Sequence, residues 1–181
     1  MRIVLVFLML VSCIYADRDG GPYIGFGYGV SKFDDDGLYK IIKDDDSTAY
    51  TAYVGAYINK HLSVEASYVD LNIKDEYLVK DELDIQRMVS FTAIDISTLA
   101  HYAFFDDMLD FYAKFGVGRA SMSGDDGSGF DMLFGAGMGV RFSEMFSAKI
   151  AYDRHLFKYD KVYTEYDMHI DFTYVAFEVQ F

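Results

Sequence analysis

The last nine residues of the chain alternate without interruption. Phe181, Val179, Phe177, Val175 and Thr173 fall on one face, and Gln180, Glu178, Ala176 and Tyr174 on the other. A period of two predicts a β-strand, because successive side chains leave opposite sides of a pleated chain. The two faces differ in polarity, so this strand must separate two different surroundings.

The same alternation recurs seven times upstream. Pro22 to Val30 puts Ile24, Phe26, Tyr28 and Val30 opposite glycines, and Thr48 to Ile58 aligns Tyr50, Ala52, Val54, Ala56 and Ile58. After the Asn59-Lys60-His61 turn, Leu62, Val64, Ala66 and Tyr68 alternate with Ser63, Glu65 and Ser67. A fourth run over Met88 to Phe104 sets Ile94, Ile96, Ala100 and Tyr102 against Asp95, Ser97 and His101. The fifth follows the tight connection Phe105 to Asp110 and opposes Phe111, Ala113, Phe115 and Val117 to Tyr112, Lys114, Gly116 and Gly118. The sixth, to Phe142, alternates Met132, Phe134, Ala136, Met138 and Val140 with Gly135, Gly137, Gly139 and Arg141. The seventh pairs Phe146, Ala148, Ile150 and Tyr152 against Ser147, Lys149, Ala151 and Asp153, and Met168 to Phe181 is the eighth.

An even count lets the first and last strands pair antiparallel and close a barrel without a free edge. The connections sort by length, being short after strands two, four and six and longer and polar at 31–47, 72–87, 123–129 and 158–167. A soluble eight-stranded barrel would turn its apolar residues inward. Here the other face carries charges and glycines, so the apolar face must look outward, to lipid. The sixteen Tyr and sixteen Phe, with a single Pro, suit a chain of strands bearing aromatic girdles. Past the N-terminus no apolar run approaches the roughly 20 residues of a membrane helix.

Residues 1–16, MRIVLVFLMLVSCIYA, have a basic start and an apolar stretch too short to span a bilayer, which predicts a secretory signal peptide. Cleavage after Ala16 makes 17–181 the mature domain, without cysteine. Leu10-Val11-Ser12-Cys13 also resembles a lipobox, which would lipidate Cys13 instead. Net charge is -13, from 16 basic and 29 acidic residues, and argues against a nucleic-acid partner.

The signal peptide, the eight alternating segments, the long-short loop order and the closing FTYVAFEVQF resemble the small OmpA-like and opacity-type outer-membrane barrels. The resemblance covers essentially all of 17–181. It implies an all-β, eight-stranded antiparallel transmembrane barrel in a Gram-negative outer membrane, with short periplasmic turns and longer extracellular loops. It also implies a terminal strand (Phe177, Val179, Phe181) that addresses the barrel-assembly machinery. No periplasmic wall-binding domain is expected, since the sequence ends with the barrel. Partners expected on this basis are outer-membrane lipid, lipopolysaccharide and a host or surface ligand at the loops.

Three functional readings remain open from the residues. The inward series collects Glu65, Asp95, Asp153 and Glu178 against Lys114, Arg141 and Lys149, with His101 nearby. Charges there must pair or stay hydrated. The set reads either as a structural ion-pair network or as the lining of a small porin-like channel. The lumen glycines either leave room for water or let Tyr53, Tyr57 and Tyr112 fill it. Acidic loop runs (Asp34 to Asp36, Asp44 to Asp46, Asp75, Glu76, Asp81, Glu82, Asp84, Asp125 and Asp126) read as solvated loops or as hard-cation ligands, without the spacing of a defined calcium loop. A lipid-modifying enzyme is the remote reading, with His101, His155 and His169 as candidate bases. His101 and Ser97, four residues apart on one strand, stand roughly 13 Å from each other. No catalytic set, cofactor or metal site is assigned, and neither oligomeric state nor conduction follows from the sequence.

Overall fold

The computed structural model describes residues 20–34, 46–71, 91–122, 127–161 and 164–181. Every alternating run becomes a strand: β1 (Gly21–Asp34), β2 (Asp46–Asn59), β3 (Leu62–Asp70), β4 (Phe91–Phe104), β5 (Leu109–Met122), β6 (Gly127–Arg141), β7 (Phe146–Lys161) and β8 (Thr164–Gln180). Each pairs antiparallel with its sequence neighbours, and β1 pairs with β8, so the sheet is a closed barrel with no edge. Phe181 lies just past β8 and donates its N–H to the Pro22 carbonyl at 2.9 Å, extending the closing seam by one rung.

Alternation sets the two walls. On β4, Asp95 is fully buried while the next residue, Ile96, is 68% exposed. The outer wall carries no charge from the turn end up to a polar ring at the loop end. Tyr50 donates to Asp70 (2.6 Å), Arg119 to Ser128, and Arg154 to Asp171 in a bidentate pair (2.6 and 2.8 Å). Below that ring the outward series Leu109–Val117 on β5 and Ile94–Phe104 on β4 are nine to eleven residues long, the length a tilted strand needs to cross hydrocarbon. A charge within this band would cost about 2–4 kcal/mol at mid-depth.

The strands outrun the sequence reading at the loop end. Residues 158–167, expected as a loop, belong mostly to β7 and β8, which stay paired through Lys161↔Thr164. The first loop likewise narrows, because Lys32 pairs with Asp46. Backbone pairing thus continues beyond the alternating apolar runs. The turn-end connections are short. Lys60 and His61 link β2 to β3, with Asn59 Oδ1 accepting from the His61 N–H (2.8 Å). Phe105, Asp106 and Asp107 turn β4 into β5 with three successive positive φ angles (54°, 52° and 65°). The expected signal peptide at 1–16, Cys13 and the acidic residues at 35, 36, 44, 45, 75–84, 125 and 126 lie outside the described residues.

Candidate functional site: the barrel lumen

Eight strands leave an interior just wide enough for side chains, and here side chains fill it in layers. At the loop end the lining is apolar. Phe33, Phe91 and Phe157 meet across the lumen with centroid distances of 5.2 and 5.4 Å, beside Leu71, Ile170 and Phe172. The charged residues expected on the lumen face lie below this layer, and at the loop end β1, β4 and β7 line the lumen with phenyl rings instead.

Below that layer the polar groups begin. Lys114 on β5 lies 2.8 Å from Glu65 Oε1 on β3 and 3.2 Å from Asp153 Oδ2 on β7, a cross-barrel ion triplet. Tyr174 donates to the same Asp153 oxygen at 3.0 Å. Lys149 pairs with Glu178 on the neighbouring strand, and its ammonium sits 5.2, 5.8 and 5.3 Å from the ring centres of Tyr23, Tyr53 and Tyr112. Desolvation of a lone ammonium would cost several kcal/mol. A carboxylate and three aromatic faces replace the lost water here. Arg141 lies at the turn-end rim, half-buried, and donates to Gln180.

The lumen glycines make room for tyrosines. Tyr23 pairs with Gly55 and Gly25 with Tyr53 across β1 and β2, and Tyr112 with Gly137 across β5 and β6. A Cβ on any of these glycines would collide with the partner's phenol. A void among Tyr57, Asp110, Arg141, Lys149 and Glu178 is about 20 Å³, roughly one water probe. A larger recess of about 620 Å³ lies on the lipid side of the wall, where Ala52 and Ala66 are short between Phe26, Tyr68 and Phe177.

His101 does not reach Ser97; its partners come from other strands. Nε2 lies 2.8 Å from Ser63 Oγ on β3, and Nδ1 lies 2.8 Å from Asp110 Oδ2 on β5. This is the contact order of a nucleophile, base and orienting acid. Ser63 is nevertheless fully buried, with the Tyr23 hydroxyl 3.3 Å away on its other side. Tyr23, Ser63, His101 and Asp110 thus form one hydrogen-bonded chain within the wall. His155 on β7 lies 2.6 Å from Asp131 Oδ2 on β6. Asp110 was missed in the sequence because alternation assigns it to the tight connection Phe105 to Asp110, and Asp131 because the sixth alternating run was read only from Met132. His169, at the loop end of β8, is only half-buried. In the closing strand, Phe177 points to lipid and Val179 lies beside it on the same face.

The outer membrane protein beta-barrel domain model matches residues 3–181. No curated protein sequence matches significantly. Among solved structures the fold is similar to Neisserial surface protein A (TM-score 0.60, 14% identity, covering 89% of this chain and 97% of that one). It is also similar to Ail of Yersinia pestis (0.57, 17%, 90% and 99%) and to OprG of Pseudomonas aeruginosa (0.51, 14%, 92% and 98%). With an uncharged lipid-facing wall, a closed seam and a family match over nearly its whole length, the chain belongs to the outer-membrane β-barrel domain family and is a Gram-negative outer-membrane protein.

Proposed function

We propose that this protein is a non-conducting, non-enzymatic barrel with a structural or surface-interaction role, in which the strands hold acidic loops at the cell surface. One observation carries the reading. The lumen is crossed by the Lys114, Glu65 and Asp153 triplet beneath the Phe33, Phe91 and Phe157 layer, so side chains occupy the interior and the loop end is what the barrel presents. Such a barrel spends its interior on stability and its loops on recognition.

The acidic loop runs favour cationic or divalent-bridged partners, including lipopolysaccharide phosphates joined through Ca²⁺ or Mg²⁺. Arg119 and Lys32 at the outer polar ring suit direct contact with those phosphates. Ail has been solved in complex with the heparin analogue sucrose octasulfate; a chain of net charge -13 is a poor match for such a polyanion. The strand ending at Phe181 acts as the address for the barrel-assembly machinery, and residues 1–16 as the cleaved export signal.

Planar-bilayer recording of the refolded protein tests the reading. A silent bilayer is expected. Steady single-channel steps that change with Lys114→Ala or Arg141→Ala would replace it with a small porin-like channel. Lipid A altered in mass after exposure to the protein would replace it with an enzyme.

A further inference from the structure

The lumen holds more acid than its lysines can balance. Six carboxylates are buried among the described residues (Glu65, Asp95, Asp110, Asp131, Asp153 and Glu178) against two ammoniums, Lys114 and Lys149. Both lysines are committed to Glu65, Asp153 and Glu178. Asp110 has His101. Asp95 and Asp131 are left, with His155 between them.

These three residues come from β4, β6 and β7 and are all at most 1% exposed. They offer one ligand atom each within 4.8 Å of one another. His155 Nδ1 lies 2.6 Å from Asp131 Oδ2 and 3.9 Å from Asp95 Oδ2. Ligands bound to zinc at about 2.0–2.2 Å in a tetrahedron stand roughly 3.3 Å apart. The two spacings bracket that value, and each changes by roughly 0.6–0.7 Å to reach it.

A second observation points the same way. No N–H or hydroxyl donor reaches either oxygen of Asp95, whose polar neighbours are the Asp131 carboxyl group and His155, and Asp131 Oδ1 and the hydroxyls of Ser67 and Ser97 have no hydrogen-bond partner either. Buried acceptors are almost always satisfied, and Asp95 leaves two on one side chain. Ser67 and Gly118 flank Asp95 in register, and Gly118 in turn pairs with Asp131. A Cβ at 118 would collide with Asp95 Oδ1, so this glycine is what lets the Asp95 carboxylate turn into the cluster.

We propose that Asp95, Asp131 and His155 form an internal binding site for a first-row divalent cation such as Zn²⁺, with a lumen hydroxyl or water completing the shell. Two carboxylates cancel the ion's charge, and the imidazole nitrogen selects against Ca²⁺ and Mg²⁺. The phenyl layer covers the site on the loop side. The ion therefore enters as the barrel closes and staples three strands across the lumen.

The test is refolding of the full, untagged chain from urea into detergent with equimolar Zn²⁺ in millimolar Ca²⁺ and Mg²⁺, followed by gel filtration and metal analysis. One zinc per barrel is expected in the wild type, with at least tenfold less in Asp95→Asn and His155→Gln barrels that still shift on heating. Wild-type barrels without zinc would overturn the site, leaving carboxyl groups that share a proton beside the imidazole. Equal zinc in Asp95→Asn would overturn it too, by moving the metal to the loops. Should either variant fail to fold, Co²⁺ loading of the wild type decides. Paramagnetic shifts on the His155 ring, and not on His61 or His169, support the site, and the reverse pattern rejects it.

Discussion

Gly25 and Tyr53 face each other across the β1–β2 ladder, and the phenol of Tyr53 occupies the space that any side chain at position 25 would need. Two residues along, at the next inward pair, the arrangement is inverted, with Tyr23 over Gly55. The lumen is filled because a strand with a glycine sits beside a strand with a tyrosine, so a large ring lies flat over a bare backbone.

Gly25→Ala should therefore destabilise the barrel by about 1–3 kcal/mol through overpacking. Urea titration of the gel-shift transition in lipid vesicles measures it. Combining it with Tyr53→Ala should return part of the loss. If the double variant is worse than additive, the ring is not what fills the space.

Lys114 is the shared cation of Glu65 and Asp153. Lys114→Met should cost about 3–5 kcal/mol, because two carboxylates are left buried without a counter-charge. The triple variant Lys114→Met, Glu65→Gln, Asp153→Asn should recover much of that. The same urea midpoints report both, and an unchanged single variant would remove the triplet from the account of stability.

The Ser63, His101 and Asp110 chain has the connectivity of a hydrolase, with Ser63 fully buried. Folded barrels should not react with a fluorophosphonate probe that labels a known serine hydrolase in the same detergent. Ser63→Ala should cost about 1 kcal/mol, the worth of a single hydrogen bond. Covalent labelling of Ser63 in the folded state would make the chain a catalytic one.

Phe181 gives its backbone N–H to Pro22, and Phe181→Asp leaves that bond intact. Refolding in detergent should be nearly unaffected, while the amount assembled in the outer membrane of cells should fall several-fold. Equal losses in both assays would mean that the ring packs the barrel and does not address it.

Strand identity was legible because a period of two is written within each strand and needs no partner. The outward faces were legible too, since hydrocarbon accepts only apolar side chains over the nine to eleven residues it covers. Beyond that band the rule lapses. β7 and β8 stay paired out to Lys161↔Thr164, and Asp110 and Asp131 fall outside the alternating runs that the pattern marked.

The sequence by itself determined the number of strands, their order around a closed barrel and the medium outside it. Only the tertiary structure decided what the inward residues meet, because alternation says that a side chain points into the lumen but not which strand it reaches across. Glu65 and Asp153 find one lysine, His101 finds Ser63 in place of Ser97, and Asp95, Asp131 and His155 converge from three strands. Register and tilt set those meetings, and they exist only once the barrel has closed.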